Sequence, residues 1–247
     1  MCSAFSTHLA PSHFVPPRCT TIRTTRLVRS ESVNEVEALL PIATGKRLLA
    51  FGDLNCPFCF VLEERLHRRD ANADVEWRLV EHAPELPLRI DDVTSHQQDE
   101  VEQELEALRT RAPDVTLRRP PFRPASGPGI RAVHAAARLD PTGADRLRTQ
   151  LFRALWLEGR NIADSAVIED VARAVAVQLP DESPEDVLAA RASTAQWRTA
   201  EFNRIPCMVS SSAATLLGLA EEKRLDLFLR SGLFGSRNDD ACVVRND

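Results

Sequence analysis

The stretch Phe51-Gly52-Asp53-Leu54-Asn55-Cys56-Pro57-Phe58-Cys59 decides the fold, because it sets a Cys-x-x-Cys between an apolar run and a helical pattern. Before it, Arg47-Leu48-Leu49-Ala50-Phe51 is short and apolar in the manner of a buried strand. After it, Phe58, Leu62 and Leu66 recur at helical spacing with charges between them. Asn55 is a competent N-cap, and Pro57 falls in the first turn, where proline is tolerated. Cys56 is therefore predicted at a helix N-terminus, where unpaired N–H groups and the helix dipole favour an anion. Such sites lower thiol pKa values from about 8.5 towards roughly 3.5–7. Cys59, one turn on, is placed to attack a mixed disulfide formed on Cys56, which is the chemistry of thiol–disulfide exchange. The same spacing serves half of a zinc site, or simply two core cysteines. The strand before, the cap and the helix after weigh towards the redox reading.

At 247 residues the chain is long enough to bury a full core. A net charge of −5 makes nucleic acid and anionic membrane surfaces unexpected partners. No apolar run approaches the roughly 18 residues that a membrane span needs. Cysteines at 2, 19, 56, 59, 207 and 242 are too sparse for a disulfide-stapled secreted module and suit an intracellular protein with one redox pair. Cys19 and Cys242 lie near the two ends, where a bridge or exposed free thiols are both open, the free thiols favoured. Residues 1–30 hold no Asp or Glu, many Ser and Thr, and Arg18, Arg23, Arg26 and Arg29. That is the profile of an organelle transit peptide, against which stands an unstructured extension of a cytoplasmic protein, the reading preferred here.

Along the chain, Glu31 to Leu40 reads as a short amphipathic helix. Val75-Glu76-Trp77-Arg78-Leu79-Val80 alternates strictly, which predicts a strand, and the strand–helix–strand order implies a right-handed parallel crossover. His82 follows in a loop broken by Pro84 and Pro87 and reads as a solvated residue, although the loop could approach Cys56. Residues 97–111 form a charged amphipathic helix, and the Pro-rich 113–129 reads as a long surface loop near a substrate groove. Helices are predicted over 130–139, 144–158, 165–179 and from Ser183-Pro184 to about Thr199, with His134 a hydrogen-bonded core residue. Asn203-Arg204-Ile205-Pro206-Cys207-Met208-Val209 then reads as a strand entered through proline, followed by a Ser210–Ser212 turn, a strand over 213–218 and a helix over 219–229.

Cys56-Pro57-Phe58-Cys59 after Phe51-Gly52-Asp53, a helical excursion, and Ile205-Pro206 before a hairpin and final helix resemble the DsbA-like thioredoxin superfamily. Within it the chain is most similar to the FrnE-type branch, related to 2-hydroxychromene-2-carboxylate isomerases and kappa-class glutathione transferases. Trp77-Arg78-Leu79, Arg131-Ala132-Val133-His134 and Leu157-Glu158-Gly159-Arg160-Asn161-Ile162-Ala163-Asp164 support that placement. The resemblance implies an α/β thioredoxin fold, β-α-β…β-β-α, with a large all-α insertion between the second strand and the proline-led strand. The expected organisation is an extension over 1–44, a thioredoxin domain over 45–234 and a tail over 235–247; within the domain, 45–96 and 201–234 are core and 97–200 insertion. By position, the resemblance makes Cys56 the attacking thiolate, Cys59 the resolving thiol and Pro206 a cis-proline beside them. Ile205 would offer its backbone to an extended substrate, with Pro57 and Phe58 tuning the potential. No cofactor beyond the dithiol is implied. Partners would be protein disulfides or dithiols, or glutathione, and the chain a monomer or homodimer. A glutathione-dependent isomerase or transferase is the second reading. Metal or iron–sulfur binding by Cys56, Cys59 and Cys207 is the third, because Cys207 stands where the family commonly has Thr or another small residue. Asn203-Arg204 likewise replaces the family's usual glycine before the proline.

Overall fold

Five consecutive buried residues, Leu48-Leu49-Ala50-Phe51-Gly52, form the central strand β1 (Leu48–Gly52). Its pleat sends Leu48 and Ala50 to one face and Leu49 and Phe51 to the other. The structure, a computed structural model, describes residues 46–200 and 202–233. The extension over 1–30, the helix expected over 31–40, the tail, and Cys2, Cys19 and Cys242 with their possible bridge lie outside those residues.

β1 pairs in parallel with β2 (Val75–Leu79), and the connecting helix α1 (Pro57–Arg68) supplies the crossover that parallel pairing requires. On its other side β1 pairs antiparallel with β3 (Cys207–Ser210), which pairs with β4 (Thr215–Leu217), giving the order β2-β1-β3-β4. Leu48, Ala50, Met208 and Leu216 pack on Leu62 and Leu66 of α1 and on Leu225, Phe228 and Leu229 of the final helix α7 (Glu222–Leu233). Between β2 and β3 run α2 (Ser95–Arg111), α3 (Gly127–Ala137), α4 (Pro141–Trp156), α5 (Ser165–Ala174) and α6 (Pro184–Thr199). This is a thioredoxin fold carrying an all-helical insertion. The opposite face of the sheet, with Leu49, Phe51, Cys207 and Val209, is closed by Ala200 and Phe202 and by Trp197 of α6.

The insertion shares its core with the sheet. Phe152 of α4 packs against Phe60 of α1 at 6.4 Å and edge-on to Trp77 of β2 at 6.0 Å between ring centroids. The buried Trp156 indole donates to the Leu54 carbonyl at 3.0 Å, so the end of α4 is tied directly to the β1–α1 turn. Two of the helices start on reciprocal capping boxes, Thr94 with Gln97 and Ser183 with Asp186.

Several boundaries differ from the sequence reading. The apolar run over 165–179 is helical only to Ala174, because the chain reverses at Ala176 (φ 53°) and returns Val177 to the core with an N–H bond to the Ala172 carbonyl at 2.9 Å. The Pro-rich stretch is not a surface loop throughout, since Phe122 to Ser126 are buried. Ala125 bonds the Pro87 carbonyl at 2.9 Å and packs on Ala83 and Leu86. His134 is half-buried and not a hydrogen-bonded core residue: its enclosed Nε2 has no hydrogen-bond partner, and burial holds its pKa below the usual imidazole range against the pull of Asp186.

Arg65 of α1, 2 % exposed, is the buried tie between this helix and two loops. Its guanidinium donates to Asp114 at 2.7 and 3.2 Å and to the Ala220 carbonyl at 2.8 Å. Hydrogen bonds from Arg65, opposed by burial and joined by Arg68, hold the Asp114 carboxyl well below the usual carboxylate range. A depressed folded-state pKa stabilises the fold above the unfolded value and loses that contribution on acidification. Asp114→Asn is expected to lower stability at pH 7 by about 1–3 kcal/mol and to remove part of the stability loss below about pH 4, read from urea unfolding at several pH values.

Candidate active site

The chain leaves β1 at Gly52 and enters a turn whose first residue, Asp53, has no exposed surface. A carboxylate in that position must be met by donors on every side. The Asn55 N–H reaches Oδ1 at 3.3 Å, while the His82 backbone N–H at 2.9 Å and ring Nδ1 at 2.6 Å reach Oδ2. The sheet register makes this contact. Gly52 is level with Leu79, and the Val80 N–H bonds the Gly52 carbonyl at 2.9 Å, so the residues after β2 arrive beside the residues after β1.

The same turn sets the cysteines. The N-cap of α1 is Cys56 and not Asn55 as expected, with Pro57 at the first helical position. Asn55 is already committed: its N–H serves Asp53 and its side-chain amide donates to the Pro124 carbonyl at 3.2 Å. Cys56 has an extended backbone (φ −99°, ψ 116°), and its carbonyl accepts the N–H groups of Cys59 and Phe60, both at 3.1 Å. Cys59 has no exposed surface, and both residues are free thiols. Burial pushes the Cys59 thiol well up, and hydrogen bonding to the Cys56 sulfur pushes it further, against a hydrogen bond from the Asp53 backbone N–H. The inner sulfur is thereby held as a thiol, while Cys56 occupies the helix start.

Of the other sequence-predicted residues, Pro57 is buried and Phe58 half-buried, the latter with the Arg111 guanidinium 5.9 Å from its ring centroid. Phe51 is level with Cys207, so continuing the antiparallel register by one residue puts Pro206 beside Gly52. The Ile205–Pro206 peptide is cis, and Ile205 packs on the cluster that contains Cys56 and Cys59. Gly52 is where these elements converge: a Cβ there would lie 2.6 Å from the Trp77 ring and 3.1 Å from the Cys59 sulfur.

Cys207 does not join the pair. Its strand directs it to the opposite sheet face, against Phe51, Val80 and Phe202, where burial pushes its thiol up. A three-cysteine metal site is thereby corrected: the sheet lies between Cys207 and the other two, and among the described residues no cluster of three His, Cys, Asp or Glu side chains could hold a metal ion.

The sequence reading missed Asp53 and set His82 aside as solvated. The available signal was an acid at the end of the apolar run and a histidine just past the next strand, at equivalent places on two parallel strands. Burial disfavours the charged form of His82, but the hydrogen bond and charge of Asp53, with the Cys56 charge, outweigh it and hold the imidazole pKa above its usual value; Arg123 opposes them. Arg123 is itself nearly buried and paired with Glu104 at 2.8 Å.

The family described as the DSBA-like thioredoxin domain matches residues 47–204 of the chain. No curated protein matches it. Among solved structures, the chain is similar to the cytosolic disulfide reductase DsbM from Pseudomonas aeruginosa with GSH, at 16% identity and a TM-score of 0.56, covering 75% of this chain and 98% of that one. It is also similar to the catalytic domain of ScsC from Proteus mirabilis, at 17% identity and a TM-score of 0.51, covering 81% of this chain and 96% of that one. At these identities the two likenesses show the fold.

Two outcomes follow from the packing. Gly52→Ala is expected to cost about 1–3 kcal/mol and lower the melting temperature, because Trp77 and Cys59 must both shift. Iodoacetamide at neutral pH is expected to label the Cys56 peptide in the native protein and the Cys207 peptide only after unfolding, as read by peptide mass.

Proposed function

The chain belongs to the DsbA-like thioredoxin domain family, and from that premise we propose that it is a thiol–disulfide oxidoreductase working through Cys56 and Cys59. The observation that carries the proposal is the arrangement of the pair: Cys56 at the N-cap of α1, its sulfur hydrogen-bonded to a wholly buried Cys59 one turn below. In the reductive direction the Cys56 thiolate attacks a substrate disulfide, forming a mixed disulfide and expelling one substrate sulfur with the bonding pair. Cys59 then gives up its proton and attacks the Cys56 sulfur, which closes the Cys56–Cys59 bond and expels the second substrate sulfur. Two electrons pass to the substrate, and its two sulfurs take up the Cys59 proton and a second one, equivalent to that which Cys56 lost in becoming the thiolate. Run backwards, the same steps oxidise a dithiol; the direction follows from the potential of the pair against that of its surroundings.

Substrates in this reading are protein disulfides or dithiols. The Ile205 backbone, just before Pro206, supplies a strand-like contact that is tolerant of sequence. Pro57 and Phe58 set the potential from between the sulfurs. Glutathione is the small-thiol partner in this proposal, which the presence of GSH in the DsbM structure supports, and the cytosolic description of DsbM supports a cytoplasmic setting. Among the described residues no helix is long and apolar enough to cross a membrane. The proposal includes membership of the FrnE-type branch, for which the support is the resemblance of Trp77-Arg78-Leu79, Arg131-Ala132-Val133-His134 and Leu157 to Asp164.

Titration of the full chain in glutathione buffers, followed by thiol trapping, is expected to show one reversible two-electron couple. A value near about −120 mV would mark an oxidant, and one near about −270 mV a reductant. Cys56→Ser is expected to abolish exchange, and Cys59→Ser to accumulate a mixed disulfide on Cys56. Exchange that survives Cys56→Ser, or the lack of any reversible couple, would overturn the proposal.

A further inference from the structure

The exchange steps above leave His82 without a task, yet its setting is that of a built site. Two contacts to one oxygen of Asp53, at 2.9 Å from the backbone N–H and 2.6 Å from ring Nδ1, fix the position and the tilt of the imidazole. Asp53 is fully buried, whereas the His82 side chain keeps 26% exposure. With Nδ1 occupied by the carboxylate, Nε2 is the nitrogen left to exchange protons with its surroundings. The charged groups that bear on the ring come from three elements. Asp53 at the end of β1 and Cys56 at the start of α1 favour the imidazolium, and Arg123 from the segment before α3 disfavours it. Arg123 is in turn answered by Glu104 at 2.8 Å and Glu100 at 3.7 Å on α2, which weakens its opposition. Asp53 ties His82 and Cys56 together, its side chain holding the His82 ring and its backbone carbonyl accepting the Cys56 N–H at 3.1 Å. An imidazole oriented by a buried carboxylate is the kind of base that activates a sulfur nucleophile.

We propose that His82, oriented by Asp53, is the proton and charge partner of the Cys56 sulfur. The inference rests on the exchange reading of the dithiol. In the attacking step the Cys56 thiol gives up its proton and His82 Nε2 takes it up, directly or through a water between them, leaving a thiolate in the field of an imidazolium. The thiolate forms the bond to a substrate sulfur; the departing sulfur takes the bonding pair and then the proton that His82 holds. His82 is neutral again when the mixed disulfide is complete, and the two electrons have moved as before. Asp53 is a positioning residue: by holding Nδ1 it leaves Nε2 as the nitrogen that exchanges the proton, and it stabilises the imidazolium when it forms. Reaction of Cys56 below neutral pH, where an ordinary thiol is slow, is the property this couple confers.

The test is the alkylation rate of Cys56 in the reduced full chain, followed by the mass of its peptide with iodoacetamide between pH 5 and 9. The wild-type protein is expected to show a two-step profile, with appreciable reaction persisting at pH 6. His82→Gln, which keeps a donor for Asp53 but cannot carry the charge, is expected to slow alkylation at pH 6 on the order of tenfold, to leave a single step, and to converge with wild type near pH 9. Asp53→Asn is expected to move the histidine step to lower pH. A second measurement needs no variant: by NMR, the His82 ring titration is expected to move to lower pH once Cys56 is carbamidomethylated, since coupling between two sites is reciprocal. Superimposable alkylation profiles for wild type and His82→Gln, or a His82 titration indifferent to blocking Cys56, would overturn the inference. Exchange activity measured in parallel at pH 9 separates the two levels. Its absence in wild type removes the oxidoreductase reading, whereas its presence with unaltered profiles removes only the role of His82.

Discussion

A carboxylate with no access to water has to be answered by its surroundings, and the answer Asp53 receives organises everything near it. Its two oxygens collect the Asn55 N–H, the His82 N–H and the His82 ring, and its own backbone carbonyl accepts the Cys56 N–H at 3.1 Å. Each of those contacts fixes a different segment: the turn that begins α1, the loop after β2, and the sulfur-bearing residue itself. An isolated buried charge costs several kcal/mol, so the donors are held at their places as firmly as the carboxylate is held at its own. The parallel register of β1 and β2 brings the two loops side by side, and the buried charge then fixes how they meet.

The helical insertion contributes by enclosure and does not build a separate body. Trp156 at the end of α4 bonds the Leu54 carbonyl, the Arg118 N–H bonds the Trp156 carbonyl at 2.7 Å, and Pro124 receives the Asn55 amide. Two residues of one short turn, Leu54 and Asn55, are thus held by segments remote in sequence, which are themselves joined through Arg118 and Trp156. The absence of a side chain at Gly52 is the matching condition from below, since it allows Trp77 and the Cys59 sulfur to close on the strand. In the proposed exchange, a dithiol that changes length and charge is held between these two supports.

What was legible in the sequence is what short-range chemistry decides. The strand before Cys56, the helix after it, the alternation over 75–80 and the start at Ser183-Pro184 each depend on neighbours a few residues apart, and each stands where the residues placed it. The Asp53–His82 contact spans 29 residues and exists only because two strands lie in a given register, which no local pattern encodes. The cap position failed for a related reason. Asn55 has the chemistry of a cap, but its Nδ2 donates to a long-range partner, the Pro124 carbonyl, and its capping oxygen Oδ1 is left buried without a partner. Likewise prolines made 113–129 look like surface, whereas their lack of N–H groups lets the second half of that stretch enter the interior with fewer donors to satisfy. Nothing in the run to Leu179 signalled that the chain would reverse at Ala176.

The sheet also acts as a partition. Three free thiols lie among the described residues, and three thiols can in principle pair in three ways. Cys56 and Cys59 occupy the side of α1, while Cys207 is sealed behind Phe51 and Phe202 on the far side. Under the proposed exchange, any reachable third thiol would intercept the mixed disulfide and trap the domain in a scrambled form. Placing that thiol across a sheet of backbone leaves the pair a single internal outcome, so that fidelity of self-repair is a property of the topology.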